Sequence, residues 1–157
     1  MTLKSRLAIV SLALPLFLAG CTTMSSSAEA PDLTGTAWVL SSLPGQSLVP
    51  DSAVTLRFDG VRAQGTDGCN RYTTTYMAQG AALTFGSRGA STMMACPPEL
   101  MKQAEAFTTA LARVRSHRVA GGRLELLSAE GSLVAAFAAQ PAGLAGTSWR
   151  VTGFNNG

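Results

Sequence analysis

In the stretch AVTLRFDG, residues 53–60, apolar and polar side chains alternate: Val54, Leu56 and Phe58 fall on one face, Thr55 and Arg57 on the other. A period of two closed by Asp59-Gly60 specifies a half-buried strand ending in a tight turn. RYTTTYM (71–77) alternates again, with Tyr72, Thr74 and Tyr76 on one face, and AALTFG (81–86) is a further short strand candidate. GGRLELLSAEGSLVAAFAA (121–139) reads as two strands, about 123–128 and 132–138, joined at Ala129-Glu130-Gly131. Only 13% of the residues are charged, and Ala, Gly, Ser and Thr are plentiful, a composition that suits a strand-rich envelope protein better than a helical bundle.

One stretch breaks the pattern. In PPELMKQAEAFTTALARVRSH, Leu100, Ala104, Phe107, Leu111 and Val114 recur with the period of a helix face. Pro97 and Pro98 fit its first turn, where a missing N–H costs nothing, and Glu99 complements the dipole. Arg113, Arg115, His117 and Arg118 are expected at its far end, where positive charge is favoured.

The N-terminus, MTLKSRLAIVSLALPLFLAGC, has a basic start (Lys4, Arg6) and an apolar run from Leu7 to Leu18. That run is too short to span a bilayer and suits an export signal. Leu18-Ala19-Gly20-Cys21 resembles a bacterial lipobox, which makes residues 1–20 a signal peptide and Cys21 the acylated first residue. The plainer reading is an ordinary signal with a chance cysteine. Two or three acyl chains anchor a protein stably where one does not. Thr22 in place of Asp favours the outer membrane, facing the periplasm. Residues 21–31 read as a flexible Ser/Thr/Ala-rich tether, and residues 32–139 as the folded domain.

Loss of Lys4 and Arg6 lowers the excess of 12 basic over 9 acidic residues to 10 over 9. With no Lys/Arg run left, a nucleic-acid partner is not expected. Beyond a linker at 140–143, LAGTSWRVTGF (144–154) matches LTGTAWVLSSL (33–43) at Leu, Gly, Thr and Trp with the same spacing. Residues 144–157 therefore read as the start of a truncated second domain, with Trp149 expected to be more exposed than its counterpart Trp38.

Two cysteines remain besides Cys21. Cys69 and Cys96 lie too far apart in sequence for a one-turn redox motif. His117 is the one histidine, so zinc lacks its ligands, and no metal or other cofactor is expected. In an exported protein a disulfide is the favoured reading, with two buried free thiols as the alternative. Catalysis has little to rest on: a hydrolase triad would depend on His117 alone, the acids are scattered, and GTDGCN (65–70) lacks the lysine and following helix of a phosphate loop.

LTGTAWVL, GCNRYTTTY, STMMACPPELMKQAEAFTTAL and LELLSAEGSLVAAF follow one another in the order and spacing of the META domain, which the chain resembles from about residue 32 to 139. The resemblance is to HslJ-like bacterial lipoproteins, with LAGTSWRVTGFNNG similar to the start of a second META domain. The departure from that pattern is Thr74, where relatives often carry glycine. The resemblance implies a mainly β fold, a strongly curved antiparallel sheet or partly open barrel with one amphipathic helix packed against it. It further implies a link to envelope stress or antibiotic tolerance. The functional expectation is a lipid-anchored, non-catalytic binding or protective module. Its partner would be an envelope protein or a small ligand, with Asn70, Arg71 and Tyr72 as candidate binding residues. Inhibition of an envelope hydrolase is the alternative, and an enzyme of unknown type the second.

Overall fold

The structure, a computed structural model, describes residues 31–140. The expected signal peptide, Cys21, the expected tether before Pro31 and the repeat at 144–157 with Trp149 lie outside the described residues.

Eight strands run in chain order around a closed antiparallel barrel: β1 (Ala37–Ser42), β2 (Thr55–Asp59), β3 (Arg62–Thr66), β4 (Arg71–Gln79), β5 (Ala82–Ser91), β6 (Ser116–Ala120), β7 (Arg123–Leu127) and β8 (Leu133–Ala139). One helix, α1 (Pro98–Arg113), lies between β5 and β6. Pairing of β8 with β1, in which Trp38 faces Ala139 and Leu40 faces Phe137, closes the ring. The expectation of a mainly β fold with a packed helix is met; of the two forms expected, a strongly curved sheet or a partly open barrel, the sheet takes the barrel and closes it. Closure leaves no free edge at β1 or β8.

The period-two pattern explains the interior. Leu56 and Phe58 of β2, Leu124 and Leu126 of β7 and Phe137 of β8 are fully buried, as alternation on a closed sheet requires. Phe58 meets Tyr76 edge-on at 4.8 Å between ring centres. Trp38 is buried, and its indole N–H donates to Thr36 Oγ1 at 2.8 Å. At the β6–β7 turn Gly121 and Gly122 both have positive φ, 56° and 73°, which a two-residue hairpin of the matching twist demands and other residues resist.

The helix packs its expected face inward: Ala104, Phe107 and Leu111 are buried, and Phe107 meets Phe137 at 6.3 Å and Tyr72 at 5.6 Å. Gln103 is also fully buried, on the same stripe, three residues after Leu100 and four before Phe107. Its Oε1 accepts from the Val49 N–H at 2.7 Å and its Nε2 donates to Ser52 Oγ at 3.0 Å, tying the helix to the β1–β2 connection. A buried amide is tolerable only with such partners.

Three features depart from the sequence reading. RAQGT forms β3, and the candidate strand at 81–86 extends to Ser91. The helix stops at Arg113, and residues 116–120 are strand β6. Arg118 and His117 are therefore barrel residues, not helix-end residues. Arg115 lies past the end but still reaches back, its guanidinium donating to the Ala112 and Val114 carbonyls at 3.0 and 2.7 Å. The break follows from Val114, which is fully buried with extended backbone and starts the run into β6.

Candidate functional site

The turn carrying the sequence candidates is organised by Asp67. Its carboxylate accepts from the backbone N–H groups of Cys69 at 2.9 Å and Asn70 at 2.6 Å, a side-chain-closed turn that explains Asp at this position. A disulfide joins Cys69 to Cys96, with Cα atoms 6.0 Å apart, and thereby fixes this turn beside the start of α1. The three candidate binding residues do not share one pocket: Arg71 and Tyr72 both line an outer depression, Tyr72 also lines a cleft between α1 and the β4–β5 hairpin, and Asn70 lines neither. The Asn70 side-chain carbonyl accepts from the Met94 N–H at 2.8 Å and the Thr92 hydroxyl at 3.1 Å, a structural duty. Tyr72 donates its hydroxyl to the Thr55 carbonyl at 2.8 Å. Burial, with Asp67 nearby, pushes its phenol well above the usual range, so it stays neutral. Arg71 alone is exposed, beside a shallow outer depression of about 410 Å³ that Arg57 and Gln64 also line.

The more enclosed feature is a cleft of about 610 Å³ between α1 and the β4–β5 hairpin, a size suited to small ligands. Tyr72, Thr74 and Phe85 line it from the sheet, Phe107 and Leu111 from the helix, and Arg115 lies at its rim. Its origin is topological. Where β5 meets β6, Ala82 faces Ser116, the Leu83 N–H donates to the Arg115 carbonyl at 3.0 Å, and the His117 N–H donates to the Ala81 carbonyl at 2.8 Å. Continuing that antiparallel register, Phe85 would face residue 113, which is already helical. A helix offers no ladder to a strand, so β5 outruns its neighbour. Leu83 turns its main-chain groups away from β4, and Phe85, two residues on, does the same and aims them into the cleft.

A bulge shapes the other wall. Thr74 faces Gly89 and Tyr76 faces Phe85, so Gly86, Ser87 and Arg88 together oppose Thr75 alone. The bulge is pressed onto β4: a Cβ on Gly86 would come 2.3 Å from Thr75 Oγ1, and one on Gly89 would come 2.6 Å from the Thr73 carbonyl oxygen. Thr74, the departure noted in the sequence, donates its hydroxyl to the Gly86 carbonyl at 2.9 Å across this irregularity. The sequence reading missed the bulge. Its signal was the pair of glycines inside a strand, which marks a bulge or a close backbone approach.

The titratable groups are spread out. Among the described residues, no three His, Cys, Asp or Glu side chains gather as a metal site. Glu125 is held by Arg118 and Arg123, whose hydrogen bonds keep its carboxyl below the usual range. Glu130 accepts from the Ser128 hydroxyl at 2.6 Å and is likewise lowered. His117 is 3% exposed on β6, and neither ring nitrogen has a hydrogen-bond partner among the described residues. Burial lowers its pKa; the Pro31 and Ala81 carbonyls favour its protonated form, but neither makes a well-formed bond to the ring.

The sequence profile of the META domain matches residues 31–141. No curated protein sequence matches the chain. A protein from Burkholderia xenovorans, solved by NMR, is similar over 74% of this chain and 96% of its own, with 26% identity and a TM-score of 0.55. A second NMR structure, at 21% identity and a TM-score of 0.53, covers 68% of this chain and 90% of its own, and supports the fold alone.

Proposed function

We propose a binding role without catalysis for this chain, which belongs to the META domain family. The protein is a lipid-anchored module of the cell envelope, held at the outer membrane through Cys21 and serving envelope stress or antibiotic tolerance. Among the described residues no helix is long and apolar enough to cross a membrane, and the proposed anchor needs none. The observation that carries the binding role is the cleft, about 610 Å³ and floored by Tyr72, Phe85, Phe107 and Leu111; strand alternation from Leu83 turns the Phe85 main chain toward it. Such a site takes an apolar ligand whose polar edge hydrogen-bonds to backbone.

The fluorescent apolar anion anilinonaphthalene sulfonate tests this reading. Its emission should rise in the folded protein and fall back in Ala112→Trp, which fills the cleft from the helix wall without entering the barrel core. Equal emission from the two proteins, with equal melting temperatures, would show that the ligand does not bind in the cleft. A second reading, inhibition of an envelope hydrolase, draws on Arg71, the one member of the Asn70–Tyr72 trio left exposed, beside the outer depression.

A further inference from the structure

Every methionine among the described residues is exposed: Met77 by 76%, Met93 by 99%, Met94 by 57% and Met101 by 44%. Methionine ordinarily fills irregular gaps in a core, and none of these does so. Three of the four lie near the disulfide along the chain: Met93 and Met94 precede Cys96 by three and two residues, and Met101 follows it by five. The Met101 sulfur lies 3.7 Å from Cys69 Sγ, and the Met94 carbonyl oxygen lies 3.5 Å from the same atom.

The backbone that carries them is held from several sides. Asn70 fixes the Met94 N–H and the Thr92 hydroxyl, and the disulfide fixes Cys96. The Pro97 carbonyl accepts the Leu100 and Met101 N–H groups at 3.0 and 3.1 Å, closing the first turn of α1. Each methionine side chain has three rotatable bonds with which to reach a shared ion.

We propose that Met93, Met94 and Met101 form a binding site for a soft monovalent cation, copper(I), beside the Cys69–Cys96 disulfide. Thioether sulfur is a soft, neutral donor, and soft donors select copper(I) over harder divalent ions. The neighbouring cysteines are spent in the disulfide and supply no thiolate. The site is open, so an ion arrives without any rearrangement of the barrel. Neutral donors release no proton on binding, in contrast to thiolates, imidazoles and carboxylates. The site's affinity is therefore insensitive to mild acid.

Silver(I), which shares the soft monovalent chemistry and resists oxidation, is the probe. Isothermal titration uses the full chain in detergent with the disulfide intact and any free thiol alkylated first. One ion should bind per chain, with the same affinity at pH 7 and pH 5. Binding should weaken about tenfold or more in the triple variant Met93→Leu, Met94→Leu, Met101→Leu, and stay unchanged in Met77→Leu. Leucine keeps the patch apolar, so a loss cannot come from removing a hydrophobic surface. Because Met93 is almost wholly exposed, Met93→Leu alone leaves folding intact and should show part of the loss if the triple variant folds poorly. No binding by the wild type, undiminished binding by the triple variant, an equal loss in Met77→Leu, or an affinity that falls between pH 7 and pH 5 would each overturn the site.

Discussion

Breaking the link between Cys69 and Cys96 isolates what a single cross-link contributes to this barrel. The bridge closes a loop of 27 residues. In the loop-entropy account, freeing that loop in the unfolded chain costs the fold about 3.5 kcal/mol. Cys69 is buried and alanine removes only a sulfur, so packing should add little to that figure. For a domain of this size the loss corresponds to a fall of about 15 °C in melting temperature. The double variant Cys69→Ala, Cys96→Ala, unfolded in guanidinium and followed by circular dichroism, gives the number directly. The same fall is expected for wild type in reductant. A steeper denaturant slope is expected too, because an uncrosslinked unfolded chain exposes more surface. A loss under about 1 kcal/mol in both experiments would refute the entropic reasoning, since the unfolded chain would then be constrained without the bridge.

The His117 ring is buried with no hydrogen-bond partner among the described residues, and burial lowers its pKa, so the folded state prefers the neutral form. The unfolded chain then holds more protons, so this contribution is complete above about pH 6.5 and is lost as pH falls from there through the folded value. Wild type should lose stability between pH 7 and pH 5 while His117→Leu stays flat there, and equal slopes in denaturant titrations would contradict that. Gly89→Ala places a Cβ 2.6 Å from a main-chain oxygen of β4, and should destabilise by about 1–3 kcal/mol; a neutral result in thermal melts would mean that the bulge is not pressed onto β4. Cys21→Ser should abolish fatty-acid labelling and membrane retention while the barrel still folds, and equal labelling of both proteins would end the proposal of a lipid anchor.

Much of the barrel was legible because its strands obey the period of two. Val54, Leu56 and Phe58 announced β2, and the strands on either side of Ala129-Glu130-Gly131 fell where expected. The stripe through Phe107 and Leu111 likewise marked the inner face of α1. β3 was not legible, since RAQGT has one small apolar residue and a glycine in place of a bulky alternation. β6 was hidden because Val114 continues the helical spacing even though the backbone has already turned extended. The cleft was the least legible feature. It arises from β5 outrunning β6, a consequence of register between distant segments that no local pattern encodes. The residues that drew attention, Asn70 and Tyr72, are polar because the turn and the β2 carbonyl need partners.

The proposed binding role stands or falls on where a ligand binds. A two-dimensional NMR titration of the nitrogen-15-labelled chain with anilinonaphthalene sulfonate locates it directly. Amide shifts should concentrate at Tyr72–Thr74, Thr84–Ala90 and Phe107–Arg115, the three segments that wall the cleft. Shifts confined to the outer face around Arg57, Gln64 and Arg71, or no shifts at all, would contradict the cleft as the binding site.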